Sequence, residues 1–230
     1  GLNERIGYMQ DLIERSPDAL TERETSDRAF HRVQALVRAR MADPEAVLAH
    51  YRNIPEANRT CMDHLGLGLV YERMRNMSKA ASELQAAAAC APNDPGVNRE
   101  LGRFLFERGE YQKAGRYLQK AVILNPDDVI AMYAYARLLT EIGQKRSALD
   151  FYRRVVQAKP KDAKIRYHYG RVLGAAGRYF EAHLQLAYGE MYDNDLKKAR
   201  FHMDKAASLV STEEQKKELE ELRELFEERT

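Results

Sequence analysis

The chain has 230 residues, of which 44% are hydrophobic and 31% are charged, and this composition excludes a disordered chain. Its formal net charge of +2 is too small to favour nucleic acid as a partner. No apolar run approaches the roughly 20 residues of a membrane-spanning helix, so we expect no direct insertion into a membrane. Helix-forming residues dominate and runs of β-branched residues are missing, which predicts an all-α protein.

The first 26 residues predict one helix followed by a polar connection. Apolar residues at helical spacing mark the helix, and they are Leu2, Ile6, Met9 and Ile13. Ser16 and Pro17 close this helix, and residues 18–26 are polar.

A period of 34 residues governs most of the remaining chain. Alanine recurs at this step, at Ala46, Ala80, Ala114, Ala148 and Ala182. Small residues recur in the same way, at Gly68, Gly102, Ala136 and Gly170. A small residue in each helix of a pair allows the two helices to approach closely, and the larger apolar residues fill the space between pairs. The period therefore predicts stacked helical hairpins.

This pattern resembles the tetratricopeptide repeat family, which implies a right-handed superhelix of antiparallel helix pairs with a concave groove. In that register the array covers residues 27–210, with units at 27–60, 61–94, 95–128, 129–162 and 163–210. Asp43 and Asp94, each followed by proline, are the predicted N-caps of two of its helices.

The last unit departs from the period, because Ala199 follows Ala182 after only 17 residues. We expect residues 179–192 to form one helix that two overlapping hairpins share. Residues 211–230 predict an acidic C-terminal capping helix, with Ser211 and Glu214 as a capping box.

Cys61 and Cys90 are the only cysteines, and the repeat register places both at the open end of one hairpin. This placement permits a disulfide, although we expect two buried thiols. Two cysteines make neither a metal site nor a disulfide-rich scaffold.

Motifs of catalysis are missing from the sequence. It contains no His-Glu-x-x-His pair, no nucleophile elbow, no phosphate-binding loop and no dinucleotide fingerprint. The six histidines are separate, and we interpret them as packing or surface residues. We therefore expect no catalytic residue, no metal site and no cofactor in this chain.

The tetratricopeptide resemblance implies a protein-binding groove lined by the first helix of each unit. Its predicted residues are His31, Leu65, Leu69, Arg99, Arg103, Tyr133, Arg137, Tyr167 and Arg171. Arginine and tyrosine suit a protein or extended peptide partner that carries acidic groups or a free C-terminus. Two alternatives remain open: the arginines pair with nearby glutamates, and the leucines pack in the core. No unit has the Lys and Asn pair of the carboxylate-clamp repeats, so a clamp of that type is not expected.

A narrower resemblance rests on short motifs. They are Leu2-Asn3-Glu4-Arg5-Ile6, Ser26-Asp27-Arg28-Ala29-Phe30, Asp43-Pro44-Glu45 and Gly177-Arg178-Tyr179. They resemble exported His-Glu-x-x-His zinc metallopeptidases, in particular the family of β-barrel assembly-enhancing proteases. That resemblance implies a periplasmic, non-catalytic C-terminal repeat region in outer-membrane protein quality control. Any zinc would then belong to an N-terminal domain outside this chain.

Two other functions fit the same repeats. One is a stand-alone adaptor in the cytoplasm, and the other is a structural protein that associates with itself through Leu65, Leu69 and the terminal helices. The oligomeric state stays open at this stage.

Overall fold

The computed structural model describes residues 24–229, which form twelve α-helices and contain no strand. This confirms the predicted all-α solenoid of helix pairs. The predicted N-terminal helix lies outside the described residues. The chain divides into two compact units, residues 1–90 and 91–230.

The first unit contains four α-helices within its described part. They are α1 (Glu24–Met41), α2 (Pro44–Arg52), α3 (Cys61–Arg73) and α4 (Met77–Cys90). Helix α1 already includes residues 24–26, although the sequence places them in the polar connection. Asp43 caps α2 as predicted, because its side chain accepts a hydrogen bond from the Ala46 amide.

The second unit contains eight α-helices. They are α5 (Pro95–Glu107), α6 (Tyr111–Leu124), α7 (Val129–Glu141), α8 (Lys145–Ala158), α9 (Ala163–Ala175), α10 (Tyr179–Tyr192), α11 (Leu196–Ala207) and α12 (Glu213–Glu227). Asp94 caps α5 by accepting from the Val97 amide, which confirms the second predicted cap. Helices α5, α7 and α9 are the first helices of successive pairs.

Close approach within a pair depends on the small residue of its first helix. A Cβ atom built on Gly102 would lie 2.7 Å from Leu118 Cγ and 3.0 Å from the Leu118 backbone nitrogen. In the α3–α4 pair, a Cβ atom on Gly68 would lie 2.6 Å from Leu84 Cγ. The predicted role of the small residues in helix packing is therefore confirmed at these positions.

A left-handed residue ends the first helix of each pair in the second unit. Gly109, Gly143 and Gly177 have φ angles of 75°, 78° and 79°, which glycine adopts most readily. Asn194 has φ of 66° and lies only 17 residues after Gly177, between α10 and α11. Helix α10 therefore ends with the same kind of turn as a first helix, although it is also the second helix of the pair that α9 begins.

The C-terminal helix packs three apolar side chains and exposes its acidic face. Leu219, Leu222 and Phe226 are buried in the core formed with α10 and α11. The N-cap of this helix is Thr212, so the predicted capping box of Ser211 and Glu214 is wrong. Thr212 accepts a hydrogen bond from the Gln215 amide, and the Gln215 side chain accepts from the Ser211 amide.

The cysteines form a disulfide, so the expectation of two buried thiols is wrong. Their Cα atoms lie 5.4 Å apart, within the usual range for a disulfide. Cys61 begins α3 and Cys90 ends α4, so the bond closes the open end of this hairpin. Cys90 is exposed and Cys61 is partly buried.

Candidate functional site

Three arginines occupy equivalent positions on the first helices of the second unit. The burial of their ion-pair partners decreases along this row. Arg103 Nε lies 3.3 Å from Glu100 Oε2, and Glu100 is fully buried. Arg137 Nη1 lies 2.9 Å from Glu107 Oε1, at a partly exposed pair. Arg171 is exposed and forms no ion pair with another described residue. The side chains of Arg103 and Arg137 are similarly exposed, at 26% and 28%, but Arg103 pairs with a fully buried glutamate. Arg137 and Arg171 are therefore the members of the row that can bind a partner without leaving a buried charge unpaired.

Two tyrosines lie beside these arginines. The Tyr167 ring is 44% exposed, and the Arg171 guanidinium lies 5.9 Å from its centroid. The Tyr133 ring is partly buried, and its hydroxyl is closed to solvent and lacks a hydrogen-bond partner among the described residues. Burial raises the pKa of Tyr133, so this hydroxyl stays protonated and keeps an unused donor.

His168 joins the two tyrosines, and the sequence interpretation missed it. Its ring lies edge-on to Tyr133 at 5.9 Å and to Tyr167 at 5.5 Å. Burial is the largest cause of a pKa of about 4 for His168, and the positive charges of Arg137, Lys164 and Arg171 contribute to the same decrease. The imidazole is therefore neutral at pH 7. Its position next to Tyr167, one turn before Arg171, is the signal that the sequence offered.

We call these five residues the aromatic–basic cluster: Tyr133, Arg137, Tyr167, His168 and Arg171. They lie on α7 and α9, both first helices of the second unit. A cluster of rigid rings beside guanidinium groups can stack against planar groups and donate forked hydrogen bonds to carboxylates. His168 adds a neutral ring that accepts or donates one hydrogen bond.

Comparison with known proteins supports the repeat architecture. Residues 105–167 match the family model "Tetratricopeptide repeat". This match lies within the second unit, from α5 to α9. No match was found among curated protein sequences.

Several solved structures share the tetratricopeptide fold. A MamA structure (AMB-1) is 19% identical, covers 72% of this chain and 98% of its own, and has a TM-score of 0.63. YrrB, described as a TPR protein with an unusual peptide-binding site, is 22% identical, covers 74% of this chain and 89% of its own, and has a TM-score of 0.61. MamA from Desulfovibrio magneticus RS-1 is 25% identical over 65% of this chain and 94% of its own, with a TM-score of 0.50.

Three predicted groove residues are buried and must be reassigned. Leu65 is 0% exposed and Leu69 is 2% exposed, so both belong to the core and cannot contact a partner. Arg99 is 8% exposed and serves as an internal ion-pair partner. A side chain at a repeat position that faces the groove in this family is therefore not always exposed.

Arg99 links two successive repeats through buried charge pairs. Its Nη1 lies 2.6 Å from Asp128 Oδ2, and its Nη2 lies 2.9 Å from Glu100 Oε1. Burial opposes the positive charge, but Glu100 and Asp128 outweigh this effect and raise the pKa of Arg99. Asp128 also caps α7, where it accepts from the amides of Ile130 and Ala131. The pairing thus joins α5 to the start of α7.

His31 lies in the first unit, where it lines a separate cleft of about 420 Å³. The side chains of Arg38, Tyr51 and Asp63 line the same cleft, as does Cys61. The Tyr51 hydroxyl is buried and has no hydrogen-bond partner among the described residues. His31 is therefore exposed as predicted, but it belongs to this cleft rather than to the aromatic–basic cluster.

Residues 24–229 contain neither a metal-binding group of side chains nor a membrane-spanning helix. This part of the chain contains no group of three or more His, Cys, Asp or Glu side chains that could hold a metal ion. Within the same range, every helix is too short or too polar to serve as a membrane span.

Proposed function

We propose that this chain is a protein-interaction scaffold that binds an extended acidic segment of a partner protein on the aromatic–basic cluster. The observation that carries the proposal is the exposed Arg171 guanidinium, 5.9 Å from the centroid of the exposed Tyr167 ring, which in turn lies 5.5 Å from the His168 ring. The positive charges of Arg137 and Arg171 favour carboxylates on the partner. The peptide-binding site named for YrrB supports the same function, since that protein shares the fold.

The arrangement of the cluster fits an extended segment better than a folded surface. Arg137 lies on α7 and Arg171 on α9, so acidic groups must be spaced along the partner to reach both. The Tyr167 ring lies next to Arg171 and supplies rigid apolar area for a neighbouring side chain. The cluster thus selects a segment in which acidic and apolar residues are interspersed.

The test is a charge reversal at the two reachable arginines. We expect Arg137→Glu with Arg171→Glu to weaken binding of a fluorescent peptide of alternating Asp and Leu residues by about a hundredfold, because two charge-assisted contacts are lost. Arg103 is left intact, since its contact with buried Glu100 would confound binding with folding.

The matched control is Arg116→Glu with Arg146→Glu. Both residues are exposed on second helices and carry the same change of charge. Binding that survives the cluster variant, or that falls equally in both variants, would exclude the cluster as the site. Helicity measured by circular dichroism shows that both variants remain folded.

We further propose that the chain is the non-catalytic C-terminal repeat region of an exported zinc metallopeptidase in outer-membrane protein quality control. The short motifs described above support this context, and the Cys61–Cys90 disulfide favours an oxidising compartment such as the periplasm. The zinc would be bound by an N-terminal domain and by no residue of this chain. A reading frame with a His-Glu-x-x-His helix before Leu2 supports this assignment, whereas a reading frame without one refutes it.

The redox state in cells separates this context from the alternative of a cytoplasmic adaptor. Acid-quenched cells treated with a thiol-alkylating mass tag should show both cysteines protected. Complete labelling of Cys61 and Cys90 would instead support the adaptor. The alternative of a self-associating structural protein is weakened, because two of its proposed contact residues, Leu65 and Leu69, are buried.

A further inference from the structure

The disulfide of the first unit joins two helix ends of opposite polarity. Cys61 is the first residue of α3, directly after the N-cap Thr60. Cys90 is the last residue of α4. Aligned peptide dipoles make a helix N-terminus positive and its C-terminus negative. A thiolate is therefore stabilised at Cys61 and disfavoured at Cys90.

The opposing charge near Cys61 is already engaged in the helix cap. Asp63 lies in the first turn of α3, and its Oδ2 lies 2.8 Å from both the amide nitrogen and Oγ1 of Thr60. This carboxylate therefore has donors of its own, and the backbone amides at the start of α3 continue to favour negative charge at Cys61.

The exposure of the two cysteine residues differs in the same direction. Cys90 is exposed at the end of α4, whereas Cys61 is partly buried and forms part of the wall of the cleft that contains Arg38 and Tyr51. A thiolate attacks one sulfur of a disulfide and expels the other, and the better leaving group is the sulfur that is more stable as a thiolate. Exposure and helix polarity thus select the same sulfur for attack.

We propose that Cys90 is the site at which an external thiolate exchanges with this disulfide, with Cys61 as the leaving group. The incoming thiolate forms a new S–S bond to Cys90 Sγ. The bond between Cys90 and Cys61 breaks, and its electron pair leaves with Cys61 Sγ. The external thiol is oxidised to the mixed disulfide while Cys61 is reduced. The co-reactant is a thiol, either a small molecule or a protein with a reactive cysteine.

The experiment maps the first product of exchange in the oxidised full chain. The chain is mixed with reduced glutathione, quenched with acid, alkylated and digested for mass spectrometry. We expect about fivefold more glutathione on Cys90 than on Cys61, because both helix ends and exposure favour this outcome. A majority of adduct on Cys61, or a disulfide that does not react until the protein unfolds, would overturn the proposal.

Two further measurements separate a structural cause from intrinsic reactivity. The same reaction in concentrated urea should give nearly equal adducts, because the helix ends are then lost. In single variants, the Cys61 thiol of Cys90→Ser should have a pKa below the ordinary value of about 8.5, and the Cys90 thiol of Cys61→Ser should not. The reverse order refutes the assigned leaving group.

A parallel reaction with reduced thioredoxin distinguishes the two sources of thiol. Exchange more than about tenfold faster than with glutathione at equal thiolate concentration identifies a protein thiol as the preferred co-reactant. Equal or slower exchange identifies small-molecule thiols. In both cases the mixed disulfide must form at Cys90.

Discussion

Removal of the Glu100 charge is expected to destabilise the second unit strongly. Glu100 is 0% exposed, and its oxygens lie 2.9 Å from Arg99 Nη2 and 3.3 Å from Arg103 Nε. The substitution Glu100→Gln keeps the shape of the side chain but leaves the buried guanidinium of Arg99 with less negative charge. Loss of one partner from a buried ion pair costs about 3–5 kcal/mol. Arg99 keeps Asp128, so we expect the lower end, about 3 kcal/mol.

The assay is unfolding by heat and by guanidinium, followed by far-UV circular dichroism. For a chain of this length, about 3 kcal/mol corresponds to a decrease in Tm of roughly 6–12 °C. The control is Glu107→Gln, which removes an ion pair of similar length at a side chain that is 49% exposed. That change should cost less than about 1 kcal/mol, because exposed pairs contribute little. Equal losses in the two variants would show that burial of Glu100 does not strengthen its pairing.

Three other changes test the packing, the titration and the cross-link. Gly102→Ala should lower the free energy of unfolding by about 1–3 kcal/mol, because its methyl group meets the facing helix. Gly115→Ala, whose nearest contact would be at 3.3 Å, should change the free energy of unfolding by no more than about 0.5 kcal/mol; denaturant unfolding measures both. The pKa of His168 falls from 6.5 to about 4 on folding, so its stabilising contribution is complete above pH 6.5 and is lost as the pH falls to 4. Over that pH range, the free energy of unfolding of His168→Gln should therefore decrease by about 1–2 kcal/mol less than that of the wild type. Parallel plots of unfolding free energy against pH for the two proteins would contradict this. The disulfide closes a loop with a sequence separation of 29, so Cys61→Ser with Cys90→Ser should lower stability by about 3.5 kcal/mol, and a loss below about 1 kcal/mol would exclude the cross-link as a major stabiliser.

The fold was predictable because its signals are local and repeated. Asp43 and Asp94 mark helix starts through their own side chains and the prolines that follow them. Gly102 marks a close helix contact because a Cβ atom there would lie 2.7 Å from Leu118 Cγ. Small residues recur at this position in four units, so the 34-residue period reveals the requirement without knowledge of the tertiary structure.

The candidate site was only partly predictable, because exposure depends on residues far apart in the sequence. Arg99 and Arg171 lie in the same kind of helix, yet Arg99 is buried between Glu100 and Asp128 while Arg171 is exposed. The low pKa of His168 likewise depends first on its burial and then on charges from two helices. Spacing placed Arg137 among the predicted groove residues, but it could not identify which arginines had partners within the fold.

The short spacing between Gly177 and Asn194 has a consequence for how a partner is aligned. In an array of whole repeats, a bound segment can shift by one repeat and meet equivalent surroundings. Here α10 belongs to two pairs, so the alternation of first and second helices changes after α9. The row of equivalent first helices in the second unit therefore ends at α9. For the segment that we propose to bind on α7 and α9, no equivalent whole repeat follows α9 among the described residues, which limits a shift of register in that direction.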